Sequence, residues 1–237
     1  MAIQAGETTF YQAKRGIVQD GLVLNLDAAV YASYSGGTTW RDLAGGNNGT
    51  LVNMNDANLI KDNGGVLTFD GSDEYVNCGN GSIFRLTTEL TLECWVKTSS
   101  TSGYNHFISR FPISNCSYLI GSLPSNGYLY FQKSTSGGNT GVTSSLNINV
   151  CNGSWNHVVA SYNSGSSTLL MSVNGTISSS SLTGSIYEGT SNLEIGRRSG
   201  VGQYYAASIA VAKVYNRALT SDEIARNYNA TRHRFGV

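Results

Sequence analysis

From Gly21 to about Tyr215 the chain repeats one pattern: short apolar runs broken by Gly, Asn and Ser turns. Strands leave this trace because successive side chains face opposite sides, while tight turns need residues that accept positive φ. The 28 Gly against 2 Pro fit many such turns. The pattern predicts an all-β fold, an antiparallel jelly-roll sandwich rather than a helical or α/β domain. A chain of 237 residues buries enough surface to fold without a disulfide or metal, and sandwiches of this size are often one domain.

Individual strands are legible. In Leu90–Lys97 (LTLECWVK), Leu90, Leu92, Cys94 and Val96 share one face, and Glu93, Trp95 and Lys97 the other. In Tyr128–Lys133 (YLYFQK), Leu129 and Phe131 oppose Tyr128 and Tyr130. Trp155–Tyr162 and Thr168–Val173 read as a hairpin. The second of these ends in Asn174-Gly175, a pair suited to a type I′ turn. Ile209–Tyr215 reads as the last strand. One core is expected from Leu92, Cys94, Val96, Val159, Leu170 or its alternates, and Val211.

The strongest helix signal comes late. Thr220-Ser221-Asp222-Glu223 is a capping box, which predicts a short C-terminal helix to about Asn229 with Ile224 and Tyr228 facing the sandwich. Three segments follow: an N-terminal arm over 1–20, the sandwich over 21–230, and a basic tail over 231–237. The arm falls outside the strand pattern, and its Phe10 and Tyr11 sit beside Lys14 and Arg15. Aromatics that fill a pocket and cations that pair at its rim suit a segment that attaches to neighbouring subunits.

Charge excludes some functions. Lys and Arg number 15, Asp and Glu 15, so the chain lacks the basic excess that a general nucleic-acid binder needs. No apolar run approaches the ~20 residues of a membrane helix. The opening MAIQAGETTFYQAKRG has no basic stretch followed by an apolar core, so synthesis and retention in a cytoplasm are expected. Cys78, Cys94, Cys116 and Cys151 form no CxxC pair and read as free, partly buried thiols.

Catalytic signals are poor. Glycoside hydrolysis needs two carboxylates about 5–9.5 Å apart, and the nearest candidates, Glu89 and Glu93, lie four apart with Glu89 at the strand's start. Residues 95–187 contain no acid at all. There is no G-x-S-x-G elbow or phosphate loop. His106, His157 and His233 have no fixed nucleophile partner, and His157 alternates with Trp155 and Val159 as a packing histidine would. A calcium site is conceivable at the acidic turn Asp70-Gly71-Ser72-Asp73-Glu74, where Asp70 and Asp73 would supply oxygens and Asp27 could approach; no other cofactor is implied. The same turn also reads as one whose Asp side chains cap backbone amides. Tyr104, Tyr118, Tyr187, Tyr204 and Tyr205 sit among Gly and Ser and could bind a sugar or protein partner.

Taken in order, GLVLNLDAAVYASYSGGTTWRDLAGGNNGTL, GGVLTFDGSDEYVNCG, LTLECWVKT, SWNHVVASY…LLMSVNG, LEIGRRSG and VAKVYNRALTSDEIARNYNA resemble the laminin-G-like, concanavalin A-like lectin/glucanase superfamily. The blocks span roughly residues 21–230, and the front block looks most like tailed-phage virion proteins. The resemblance implies a two-sheet jelly roll, a binding role and no catalysis. In calcium-binding relatives an acid of the FDG..D segment helps to hold the ion, and Asp70 and Asp73 match it. The last strand departs from that pattern, carrying Ala210-Val211 where such relatives have an acid. On this reading the chain is a non-enzymatic phage virion surface protein, made in the bacterial host cytoplasm. It would be oligomeric within an assembly of other virion proteins, as a capsid decoration or head-fibre subunit or else a tail-fibre component. Tyr104, Tyr187, Tyr204 and Tyr205 are its carbohydrate- or partner-binding candidates. The alternative is a lectin module that recognises host surface glycan.

Overall fold

The computed structural model describes residues 16–237. Phe10, Tyr11, Lys14 and Arg15 lie outside the described residues. Among the described residues eighteen strands, numbered in chain order, form two eight-stranded antiparallel sheets and a small ribbon.

The first sheet runs β14 (Thr176–Ser181), β13 (Thr168–Val173), β12 (Trp155–Asn163), β7 (Glu89–Lys97), β18 (Ala206–Tyr215), β5 (Val66–Asp70) and β4 (Leu59–Ile60). On the flank away from β7 the long β18 serves two neighbours. Ala206–Ile209 pairs with β5, and Val211–Tyr215 pairs with β1 (Leu22–Asp27). The second sheet runs β11 (Val142–Asn149), β10 (Tyr128–Lys133), β9 (Tyr118–Ser122), β8 (Asn105–Arg110), β15 (Glu194–Ile195), β6 (Tyr75–Asn77), β3 (Gly49–Val52) and β2 (Thr39–Trp40). The expected hairpin is present, β12 on β13, and Asn174 and Gly175 both take positive φ, 50° and 80°, at the turn into β14.

Between the sheets lies one apolar core. Leu90, Leu92, Cys94 and Val96 of β7 enter it as expected, with Val158, Ala160 and Tyr162 of β12, Leu169 and Met171 of β13, and Ala212 and Val214 of β18. Phe107, Ile120, Leu129 and Phe131 meet them from the second sheet. All four cysteines are free and buried.

Two expected core residues, Val159 and Val211, face the other way, and on β13 it is the alternates of Leu170, Leu169 and Met171, that enter the core. Val159 packs with Val18, Tyr215, Leu219 and Ile224, and Leu170 joins that group. Val211 packs with Trp95, Trp155 and Phe235. The pleat holds, but alternation alone does not choose the inward face, because this sheet is buried on both sides.

Helix α1 (Ser221–Thr231) covers that outer face. Its capping box is formed: Glu223 N–H donates to Thr220 Oγ1 at 3.3 Å, and Thr220 N–H to Glu223 Oε2 at 3.0 Å. Ile224 is buried, and Tyr228 stacks on Trp95 with centroids 6.1 Å apart. The residues read as a basic tail fold back as a 3-10 turn, Arg232–Phe235. Phe235 stacks on Trp95 at 4.0 Å, and Arg234 Nη1 bonds Asp27 Oδ1 at 2.7 Å. The expected arm boundary at residue 20 likewise falls within a packed segment. Val18 is buried; its N–H donates to Asn227 Oδ1 at 2.7 Å, and Tyr215 Oη donates to its carbonyl at 3.1 Å.

Candidate functional site

Glu93, one of the two carboxylates nearest to a catalytic pair, is fully buried beneath α1. Lys213 Nζ donates to its Oε1 at 2.6 Å, Asn227 Nδ2 donates to its Oε2 at 2.6 Å, and His157 Nε2 lies 3.1 Å from Oε1. Burial alone would raise this carboxyl, but the Lys213 ammonium, with His157, holds it well below the usual carboxylate range. Glu89 accepts from Asn163 Nδ2 at 2.7 Å and from the Ala218 amide at 3.2 Å. Both carboxylates therefore join structural elements. Trp95, on the same face as Glu93, lies under Phe235 rather than open to a sugar.

The acidic turn is occupied by its own backbone. Asp70 Oδ1 accepts from the Ser72 amide at 2.7 Å, and Glu74 Oε2 from the Asp70 amide at 2.7 Å. Asp27 is paired with Arg234 instead of approaching the turn. Asp73 contributes its carbonyl, which accepts from Asn53 Nδ2 at 3.3 Å. Among the described residues no three His, Cys, Asp or Glu side chains converge on a point where a metal could sit.

The tyrosines separate clearly. Tyr205 is fully buried against Phe107, with centroids 5.1 Å apart, so it belongs to the core and not to a binding surface. It is the residue immediately before β18. Tyr118 is also buried and donates to the Phe84 carbonyl at 2.8 Å. Tyr187 is half-buried and covers Gly137. Tyr204 is half-buried in an aromatic–cation layer: Arg197 lies 3.4 Å over the Tyr75 ring and 5.8 Å from that of Tyr204, while bonding Glu194 at 2.7 and 2.9 Å.

Of the four candidates, Tyr104 lines a pocket of about 180 Å³ on the outer face of the second sheet. Tyr130 and Gln132 come from alternate positions of β10, and Thr143 stands opposite Gln132 on β11. Arg198 and Gln203 come from the ribbon of β16 (Arg197–Arg198) and β17 (Gln203–Tyr204), whose pairing sets them side by side. Arg198 Nε donates to the Phe111 carbonyl at 2.8 Å, and its Nη2 bonds Asn139 Oδ1. Among the described residues it has no carboxylate partner, which follows from the acid-free stretch 95–187 surrounding it.

Beside this pocket His106 is buried, stacked on Tyr104 at 6.2 Å and edge-on to Tyr130 at 6.2 Å, with neither ring nitrogen bonded. Burial first, then the Arg198 charge, pushes its pKa from 6.5 down to about 3. Of the residues lining this pocket, the sequence points to Tyr104 and not to Tyr130, Gln132, Thr143, Arg198 or Gln203. The alternation of Tyr130 and Gln132 and the Arg197-Arg198 pair were the available signals, but only the ribbon's fold brings them together.

The two depressed groups make a pH prediction. Neutral His106 is favoured by folding, so stability should fall as pH drops from 6.5 toward about 3. The Arg217 hydrogen bonds hold Glu223 at about 2, so its share is present above 4.5 and lost as pH falls toward that value. Melting temperature across this range should decline monotonically with acid, and a His106→Leu variant should lack the part between 6.5 and 4.5.

A larger cleft of about 570 Å³ opens beside β5 and β18 over Lys97, Asp62 and Trp155. None of the candidate tyrosines lines it.

The two-sheet antiparallel jelly roll is a lectin-like class of sandwich. The sequence profile of the concanavalin A-like lectin/glucanases superfamily matches residues 70–225, and the chain belongs to that family. No curated protein sequence matches it. Among solved structures, the binding domain of Paraclostridial Mosquitocidal Protein 1 is similar with a TM-score of 0.68 at 15% identity, covering 90% of this chain and 52% of that one. The receptor binding domain of botulinum neurotoxin C/D mosaic serotype follows with a TM-score of 0.63, 12% identity, and coverages of 89% and 51%. A Trypanosoma rangeli sialidase in complex with sialic acid gives 0.64, 16%, 90% and 33%. The chain thus spans about half the length of the first two and a third of the last.

Proposed function

We propose that this chain is a non-enzymatic, carbohydrate-binding module whose site is the pocket of Tyr104, Tyr130, Gln132, Thr143, Arg198 and Gln203. One observation carries the reading: an arginine without a carboxylate partner shares a small pocket with two aromatic rings, two amides and a hydroxyl. Aromatic faces stack on the C–H face of a sugar, amides and hydroxyls bond its ring oxygens, and a guanidinium favours a carboxylate. A carboxylated sugar is the ligand class this chemistry suits. The fold neighbours lend support, since they include a receptor binding domain and a sialidase in complex with sialic acid.

The module is displayed, on this proposal, at the surface of a phage particle as a capsid decoration, head-fibre or tail-fibre subunit. The front block with TTWRDL, and the segment before it, carry this part. Salt-resistant association with purified capsids or tails tests it, and free protein that never associates would remove the virion role while leaving the pocket untouched.

The pocket is tested by a glycan array followed by titration calorimetry. Arg198→Ala should weaken a carboxylated sugar by roughly ten- to a hundredfold, the value of a hydrogen bond to a charged group, with less effect on a neutral one. Tyr104→Ala should weaken both several-fold. Equal binding by all three proteins would refute the site.

A further inference from the structure

The buried cluster beneath α1 holds more than an ion pair: an amine and a carboxamide share one carboxylate. Lys213 Nζ donates to Glu93 Oε1 at 2.6 Å, and Asn227 Nδ2 donates to Glu93 Oε2 at 2.6 Å. Lys213 lies on β18, Glu93 on β7 and Asn227 on α1, so only the finished fold brings the three together. All three are buried, as are His157 and Tyr215 beside them.

The carboxamide is held as a group about to be attacked at its carbon would be. The Val18 amide donates to Asn227 Oδ1 at 2.7 Å, where negative charge gathers when a nucleophile adds. The amide nitrogen, which would leave, donates to Glu93 and also to Tyr215 Oη at 2.9 Å. In water a lysine amine does not displace ammonia from a carboxamide at any useful rate. Here both groups are fixed on one carboxylate and shielded from competing water, the two conditions that make such a step fast enough to matter.

We propose that Lys213 and Asn227 become joined by an isopeptide bond, with Glu93 as the acid and base of the reaction. The ion pair is the resting state. Transfer of one proton from Lys213 to Glu93, along their 2.6 Å hydrogen bond, frees the amine lone pair. Nζ attacks Asn227 Cγ, and the charge that passes to Oδ1 is held by the Val18 amide. Glu93 hands its proton to Nδ2, and the bond from Cγ to Nδ2 breaks. The extra proton still on Nζ follows through Glu93 to the departing ammonia. One ammonium ion leaves, Glu93 is a carboxylate again, and Lys213 and Asn227 share a neutral secondary amide. No oxidant or other reactant enters. The reaction happens once, on the chain's own residues, and is independent of what the pocket binds. Its product ties α1 to β18 covalently. In a chain whose Glu93 is replaced the bond is not made, and Lys213 keeps its charge.

Mass spectrometry of the purified chain tests the bond. The unsubstituted protein should be lighter than its sequence mass by one ammonia. Asn-Gly steps such as Asn174-Gly175 can lose the same ammonia by closing into a ring, so the position must be mapped. Trypsin should yield fragment 199–217, uncut at Lys213, joined to fragment 227–232. Lys213→Arg keeps the charge but supplies no free amine, and Glu93→Gln removes the acid and base. Each variant should keep its full sequence mass and release 227–232 as a free fragment. An unsubstituted protein at full mass overturns the proposal, as does an ammonia loss that maps elsewhere. Joined fragments in Glu93→Gln overturn the role given to Glu93. Should either variant misfold, the mass and the fragment map of the unsubstituted chain decide the matter.

Discussion

Glu93→Ala should lower stability by about 3–5 kcal/mol, because it leaves the Lys213 ammonium buried with no opposite charge. Lys213 is only 2% exposed and lies 2.6 Å from the carboxylate. Asn227 would lose the same carboxylate as an acceptor, one of the hydrogen bonds that tie α1 to the sheet. For a chain of this size the loss amounts to roughly 10 °C or more in melting temperature. A double variant, Glu93→Leu with Lys213→Met, removes both charges together and should recover much of the loss, since replacing a buried pair by apolar groups is often neutral. Thermal unfolding followed by circular dichroism separates the cases. A single variant that melts with the unsubstituted protein would mean that water reaches this cluster and that α1 does not seal it.

Val96→Asp should cost several kcal/mol for a different reason: it places a carboxylate in an apolar core with no cation to meet it. Val96 is fully buried among the residues that join the two sheets. Its neighbours across the ladder are Asn156 on β12 and Ile209 on β18, and neither offers a charge. Chemical denaturation would show the loss as a lower midpoint, and the variant should be recovered poorly at physiological temperature. An unchanged midpoint would contradict the assignment of β7 as a strand lined by the core.

The central strand shows how far the sequence could be read. In LTLECWVK the polar residues Glu93 and Lys97 mark the outer face, so alternation assigned Leu92, Cys94 and Val96 correctly. In WNHVVASY and IAVAKVY apolar residues stand at consecutive positions, Val158-Val159 and Ala210-Val211-Ala212, and alternation cannot choose between them. Both sides of the sheet are buried, one by the second sheet and one by α1 with Phe235. The capping box located the helix, but nothing local announced that residues beyond it would fold back. The pocket was less legible still. Tyr104 could be named from its setting, whereas Arg198 and Gln203 reach the site only through a two-residue ribbon whose pairing depends on β8 beneath it. A buried tyrosine and an exposed one, Tyr205 and Tyr104, look alike when each is flanked by small residues.

The cap over the first sheet draws its parts from nearly the whole described chain: Val18, Asp27, Glu93, His157, Lys213, Asn227 and Phe235. Contacts so distant along the backbone must wait until the sheet has joined, and non-local pairing slows folding. The order of assembly follows from that. The hairpins β12–β13 and β9–β10 can form early from neighbouring residues. The charges of Glu93 and Lys213 meet only once β7 and β18 lie side by side, and the lid of α1 and Phe235 closes over them last. During that interval Trp95 stands open to water on an uncovered sheet, so the final event of folding is the drying of one tryptophan.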